Sequence, residues 1–237
     1  MQSGFVKYLL FACFLISQIS IAQSGRIKKQ PQNLKSYDNK KIHFGFMLGL
    51  AQVKLSTNFS DSYYGDNNFR SIVVDEKPGF NVGIIADYKL DNNFNLRFVP
   101  ALTLTKRQIN FTSVDNGNVE FFAQEDEAAL LDIPIQVKYR SDRLANVRPY
   151  VIGGMRYIKD MSSKKDVEEL EILRLQDTDF ALTLGAGVDF YLEYFKLGFE
   201  VKYQHGFNNL LVKDESMYSE AFESIYHRGL FFCLTFE

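Results

Sequence analysis

Cysteine is nearly absent from this chain: Cys13 and Cys233 are the only two in 237 residues, so neither a disulfide framework nor a zinc-ligand cluster can hold the fold. Charge of one sign is scarce as well. The 27 basic residues are interspersed with 29 acidic ones, for a formal net charge of −2, a field too weak to gather DNA or RNA. Beyond Lys41 no apolar run approaches the roughly 20 residues that a transmembrane helix needs. What is present is 46% hydrophobic, 15% aromatic and 24% charged, which excludes a disordered or low-complexity chain. The length suits one large domain or at most two. Burial and backbone pairing must therefore hold this protein together.

Three regions follow from the pattern along the chain. Lys7, an apolar run over 8–16 and small residues at Ser20 and Ala22 predict a secretory signal peptide over 1–22, cleaved after Ala22. The run is too short to span a membrane, and the large Phe11 argues against lipid attachment at Cys13. Residues 23–41 are polar and basic, with Arg26, Lys28, Lys29, Lys35, Lys40 and Lys41 against Asp38 and a break at Pro31. They read as a mobile, basic N-terminal arm on the periplasmic side. Its basic charge fits attraction to anionic lipid or a periplasmic partner as well as it fits plain disorder. Residues 42–237 form the third region.

There, segment after segment alternates with period two, the signature of strands with two different faces. Ile42, Phe44, Phe46, Leu48 and Leu50 interleave with His43, Gly45, Met47, Gly49 and Ala51. Similar segments begin near Phe80, Phe94, Leu131, Val147, Phe180, Phe195 and Leu230. Pro100 interrupts the third and is expected at a bulge; the fifth, with Gly153-Gly154, commits to neither face. Eight strands predict an all-β, antiparallel, up-and-down transmembrane barrel. The connections 91–93, 141–146 and 192–194 are short, whereas 56–77, 112–128, 160–178 and 206–224 are long. That asymmetry matches an outer-membrane barrel with short periplasmic turns and long extracellular loops.

Period two does not say which face is inside; the glycines do. Gly45, Gly49, Gly83, Gly185, Gly187, Gly198 and Gly229 all lie on the polar face. An eight-stranded barrel has an interior just wide enough for side chains, so its inward face must be thinned by small residues. The same face carries Asp87, Asp132, Asp179, Asp189 and Glu200 with Lys89, Arg97, Lys138, Arg140, Lys196 and Lys202. Five acids against six bases predict a paired network that fills the lumen, in preference to a selectivity ring of an open pore. The Phe-rich face then meets lipid, where a charge near the bilayer midplane costs about 2–4 kcal/mol. Tyr88, Phe94, Tyr139, Phe190, Tyr191, Tyr194 and Phe195 gather near the short turns as an aromatic girdle.

Chemistry finds little support. His205 and His227 sit at the outer ends of adjacent strands, where Asp214, Glu215 or Glu220 could complete a metal site or dyad, but rim histidines of this kind are ordinarily solvated. No catalytic residue, metal site, cofactor or small-molecule substrate is expected, and nucleic acid is not a partner. Val167, Leu170, Leu173 and Leu175 recur at helical spacing within 164–177, as a short amphipathic helix packed on the barrel rim would.

Several stretches carry a resemblance. Asn33-Leu34, Tyr37-Asp38, 42–46, 78–84, 96–100, 150–154, 189–192, 194–196 and Gly206-Phe207-Asn208-Asn209-Leu210-Leu211 together resemble, in order and spacing, the PorT (SprT) family of outer-membrane proteins from Bacteroidota. The resemblance covers nearly all of the chain after the signal peptide. It implies a porin-like barrel of the type IX protein secretion system, in many relatives also serving gliding motility, with other secretion components and outer-membrane lipid as partners. A terminal aromatic strand resembles the insertion signal of such barrels, from which Glu237 departs. A passive porin, an adhesion barrel and an outer-membrane enzyme are the alternative readings.

Overall fold

The computed structural model describes residues 31–60, 69–115, 118–162, 175–212 and 222–237. The chain divides into two compact units, Met1–Gln32 and Asn33–Glu237, and the second carries the fold. Among the described residues ten strands follow one another: β1 Ile42–Phe59, β2 Phe69–Glu76, β3 Pro78–Lys89, β4 Phe94–Phe98, β5 Ala101–Asp115, β6 Asn118–Arg140, β7 Val147–Asp160, β8 Thr178–Tyr191, β9 Lys196–Gly206 and β10 Phe222–Phe236. Consecutive strands from β6 to β10 pair antiparallel. β1 pairs with β10 on one side and with β3 on the other, so the sheet closes on itself. β4 and β5 lie end to end between β3 and β6, which makes eight staves: an all-β, eight-stranded, antiparallel up-and-down barrel.

The break between β4 and β5 is not a bulge. Phe98 pairs with Ile135 and Ala101 with Asp132, three steps on each side, and the same register runs through to β3, where Ala86 meets Phe98 and Gly83 meets Ala101. No residue is inserted. Pro100 interrupts the ladder because it has no N–H to give. Its carbonyl still accepts from the Ile84 N–H at 3.0 Å.

Two of the long connections are not loops over most of their length. β1 runs on to Phe59, β5 to Asp115, and β6 starts at Asn118, so a β5–β6 hairpin stands well beyond the apolar band, with β2 added against β5 from Glu76↔Arg107 to Phe69↔Ser113. The backbone bonds of such a ladder do not require hydrophobic alternation along the strand. Most of 164–177, with its amphipathic pattern, lies outside the described residues, as do Asp214, Glu215 and Glu220.

At the other end the turns are tight. Leu192 donates to Phe195, and Leu144 and Val147 exchange both backbone bonds around Ala145 and Asn146. Ala145 has φ 53°, a left-handed conformation that glycine adopts without cost.

The barrel is inverted relative to a water-soluble one. Its outer wall is apolar, with Phe44 71% exposed and Phe80, Ile84, Ile135 and Met155 also open. The inner face is charged and polar, with Arg97 1% exposed and Lys138 at 0%. β7 resolves in the same way: Arg148, Tyr150, Ile152, Arg156 and Ile158 are buried, while Val151 and Met155 face out. Along β1 the outward apolar row from Ile42 to Leu50 covers about 27 Å of strand at ~3.4 Å per residue. At a tilt near 40° this gives about 21 Å of height, close to an outer-membrane apolar band.

Candidate functional site

The interior is the one place in the described residues where many reactive groups converge. Arg97 on β4 is its centre: its guanidinium grips Glu200 on β9, reaches Glu237 at 3.0 Å, and lies 3.8 Å from Asp87 on β3. Asp87 in turn accepts from Asn95. Glu200 also accepts from the Tyr150 hydroxyl at 2.8 Å and pairs with Lys202 at 3.1 Å. Lys138 meets Asp189 at 2.8 Å and lies over the Tyr150 ring at 3.6 Å. Lys196 bridges Asp189 at 3.6 Å and Glu237 at 2.9 Å. Asp189, Glu200 and Glu237 are thus each shared by two cations, the arrangement in which buried charge is tolerated.

A second group lies farther toward the long hairpins. Asp132 accepts from Thr103 at 2.6 Å and sits 3.5 Å from Arg156; Asn81 donates to Thr103, and Arg156 to Gln204 at 2.7 Å. Arg156 also covers the Phe231 ring, part of an inner apolar cluster with Met47, Ile85, Val99 and Cys233. Beyond it Asp179 lies 3.5 Å from His227 Nδ1 and accepts from the Asn208 N–H. Arg140 is buried near the short turns, its Nη2 3.4 Å from the Asn92 carbonyl. Lys89 stands apart from this network: it sits half-buried at the rim and donates to the Asp38 carbonyl at 2.8 Å.

Small residues make this packing possible. Gly45, Gly49, Gly83, Gly185, Gly187, Gly198 and Gly229 alternate with outward apolar residues in their strands. A Cβ on Gly187 would stand 2.5 Å from the Tyr150 ring, and one on Gly45 2.2 Å from the Phe236 carbonyl. Gly154 and Gly79 play the same part, with strand backbone 2.2 and 2.3 Å from the place a Cβ would take.

The short-turn mouth is closed by the chain itself. Residues 33–41 are not a mobile tail: they fold through a single 3-10 turn, Tyr37–Asn39, into that mouth. Asn33 donates to Asn146 and to the Tyr191 carbonyl, and Arg143 donates back to the Asn33 carbonyl. Tyr37 stacks on His43 with centroids 3.9 Å apart and donates to Glu237 Oε2 at 3.0 Å. Asp38 is held by Arg143 at 3.0 Å and Arg148 at 3.2 Å. Burial pushes the Tyr37 phenol well above its ordinary value near 10, and Lys196 opposes that shift. Tyr191, assigned above to the lipid-facing girdle, belongs here instead. It is 1% exposed, lies under Arg143 and meets Tyr37 edge-on.

At the other mouth the run after Gly206 carries on the β9 stave, between β10 and the residues before β8. Leu210 and Leu211 are buried; Leu210 bonds to the Ile225 carbonyl and accepts from Gln176, and Leu211 bridges to Leu175. The Asn209 side chain accepts from the Leu211 and Ile225 N–H groups. The two candidate histidines do not meet. His227 is buried on the inner face, whereas His205 alternates with Val201 and Tyr203 on the outer one. Among the described residues no His, Cys and carboxylate cluster could hold a metal ion.

A closed ring of eight staves, apolar outside and ionic inside, defines an outer-membrane β-barrel protein. The chain belongs to the outer membrane protein beta-barrel domain family, whose model matches residues 21–212. No curated protein matches it. Among solved structures it is similar to the outer membrane protein OprG from Pseudomonas aeruginosa, at 13% identity and a TM-score of 0.48, over 83% of this chain and 93% of that one. Neisserial surface protein A is similar at 15% identity and a TM-score of 0.44, over 83% and 98%. AlkL, solved in lipid bilayers, is similar at 12% identity and a TM-score of 0.42, over 91% and 93%.

Proposed function

We propose that this protein is a closed, non-conducting outer-membrane barrel that performs no chemistry of its own and serves type IX protein secretion through its protruding hairpins and N-terminal arm. In this reading the short turns and the arm face the periplasm and the long hairpins face outward. One observation carries it: the chain occupies the short-turn end of its own lumen, with Asn33, Tyr37 and Asp38 docked there beside the buried charge network. That segment lies in a stretch that resembles the PorT (SprT) family. A lumen filled with paired charge and stopped at that end is suited to a docking platform, because a solute path would need the same volume.

Deleting the gene and assaying the culture medium for exported proteins tests the secretion reading. Loss of exported cargo, restored by the full chain, supports it; unchanged export overturns it. Purified protein in planar bilayers tests closure separately. A silent membrane is the expected result, and stable ion-selective steps would favour a porin.

A further inference from the structure

The seam between the first two staves is sealed along only part of its length. β1 pairs with β3 from Ile42↔Tyr88 to Gln52↔Pro78 and no farther, although β1 runs on to Phe59 beside β10 and β2 runs back to Phe69 beside β5. The cause is local. Phe80 pairs with Leu104 but Glu76 with Arg107, four steps on one strand against three on the other, so one extra residue lies in 77–79. A residue inserted in this way bends and twists its strand, and proline, here Pro78, is tolerated at such a place. β2 therefore leaves β1 and follows β5.

Successive residues of a strand turn their N–H and C=O groups to opposite neighbours. The Lys89 N–H bonds the Lys41 carbonyl, so the odd-numbered residues of β1 face the β3 side, and beyond Gln52 these are Val53, Leu55 and Thr57. The Ile84 N–H bonds the Pro100 carbonyl. Carried along β5, that register turns Val73 toward Asn110 and Asp75 toward Gln108, which leaves Ile72 and Val74 facing β1. Among the described residues no strand pairs with either row. Open edges are commonly guarded by lysine or proline, and neither occurs in β2.

We propose that the cleft between β2 and the outer half of β1 takes up an extended segment of a partner polypeptide as an added strand. Such a strand meets Val53, Leu55 and Thr57 on one side and Ile72 and Val74 on the other, and completes both ladders. Both of its edges are then taken. A strand still paired inside a second barrel cannot enter, which selects a flexible segment over another copy of this chain. The inward face of the segment lies beside Val53 and Leu55, both buried, and its outward face beside Ser56 and Asn58, so it should be apolar at every second residue. The proposal gives the docking reading a chemical form. Purified protein tests it apart from export, so either can fail alone.

The test uses the full-length barrel purified in neutral detergent, with a short fluorescent peptide of alternating Val and Thr as the probe and anisotropy as the readout. The peptide is expected to bind. The same peptide N-methylated at alternate residues cannot donate along one edge and should bind about tenfold more weakly or worse. In the protein, Thr57→Pro and Val74→Pro remove N–H groups that face the cleft and leave the native ladder bonds in place. Together they should weaken binding about tenfold or more, with heat-dependent gel mobility as the check on folding. Hydrogen exchange of the unaltered protein needs no variant: the amides of Val53, Leu55, Ile72 and Val74 should exchange quickly alone and slowly with peptide, while those of Lys54 and Ser56, which face β10, stay slow throughout. Slow exchange at Val53 and Leu55 before peptide is added would show the cleft already filled and overturn the proposal. Failure of the peptide to bind, equal binding of its N-methylated form, equal binding by the folded double variant, or unchanged exchange with peptide would each do the same.

Discussion

Arg97 and Phe98 are neighbours in one strand and live in opposite solvents. Arg97 is 1% exposed and surrounded by Glu200, Glu237 and Asp87, while Phe98 stands open on the outer wall. In a water-soluble barrel these roles would be exchanged. Here hydrocarbon is the outer solvent, so apolar side chains need no protein partner. The lumen is the place where polar groups must satisfy one another. The comparison teaches that the inner face is held by mutual pairing and the outer face by its surroundings, so the two should fail differently when single residues change.

The largest effect is expected inside. Arg97→Met removes one cation from three carboxylates and should cost about 3–5 kcal/mol, because it leaves buried charge uncompensated. Urea unfolding of protein refolded into liposomes measures it; a loss under about 1 kcal/mol would show that the network is not holding the wall. Next comes Phe98→Arg, one residue away, at about 2–4 kcal/mol for a charge on the lipid face. It should act through the bilayer: the penalty appears in liposomes and largely disappears in short-chain detergent, whereas the Arg97→Met penalty persists in both. Gly45→Val follows at about 1–3 kcal/mol by overpacking, since even its Cβ would stand 2.2 Å from the Phe236 carbonyl. Matching behaviour of Phe98→Arg and Arg97→Met in the two media would dissolve the distinction between the faces.

The fold was legible because the barrel wall has two unlike solvents. Wherever lipid lies on one side, as from Ile42 to Leu50 or Phe180 to Phe190, alternation follows, and closure into eight staves follows from strand count and turn length. Beyond the apolar band the outward apolar row gives way to Lys54 and Lys106, so the ladder continuing to Phe59 and Asp115 loses the outward half of its pattern, although Leu55 and Ile225 stay buried on the inner side. The interior was legible only as a face. Alternation says which side chains share a side and nothing about which pairs form, so the convergence of Arg97 and Lys196 on Glu237, across staves far apart in sequence, left no mark. Arg156 and Tyr150 escaped because β7, with Gly153-Gly154 at its middle and Pro149 on its outer side, lacks a clean apolar row. Tyr191 reads as one more aromatic near a turn, and its inward role depends on Asn33, Tyr37 and Asp38, which sit in a segment whose composition is that of a tail. Isolated polar residues that dock by hydrogen bonds leave no periodicity.

That docked segment carries the inner face's logic to the short-turn mouth, with smaller expected effects. Asp38→Asn weakens the contacts to Arg143 and Arg148, which are partly open to water, so a loss of about 1 kcal/mol is expected. It should be confined to the arm, read as faster proteolysis near Lys35 and Lys40 with the barrel's urea midpoint unchanged.

Tyr37 offers the finest discrimination, through pH. Burial raises its phenol above the ordinary value near 10, so the docked arm keeps a proton that a released arm gives up. Docking is then at full strength below pH 10 and weakens as the pH climbs above it, because the released state gains stability by ionising first. A spin label on Lys35→Cys, with Cys233 buried inside the wall, should report a rise in mobility between about pH 10 and pH 11.5. The decisive curve is that of Tyr37→Phe. This variant gives up the bond to Glu237 but keeps the ring on His43, and its label should be somewhat more mobile at neutral pH and nearly flat above pH 10. If both curves rise together, loosening of the wall around Lys196 releases the arm and the Tyr37 proton does not.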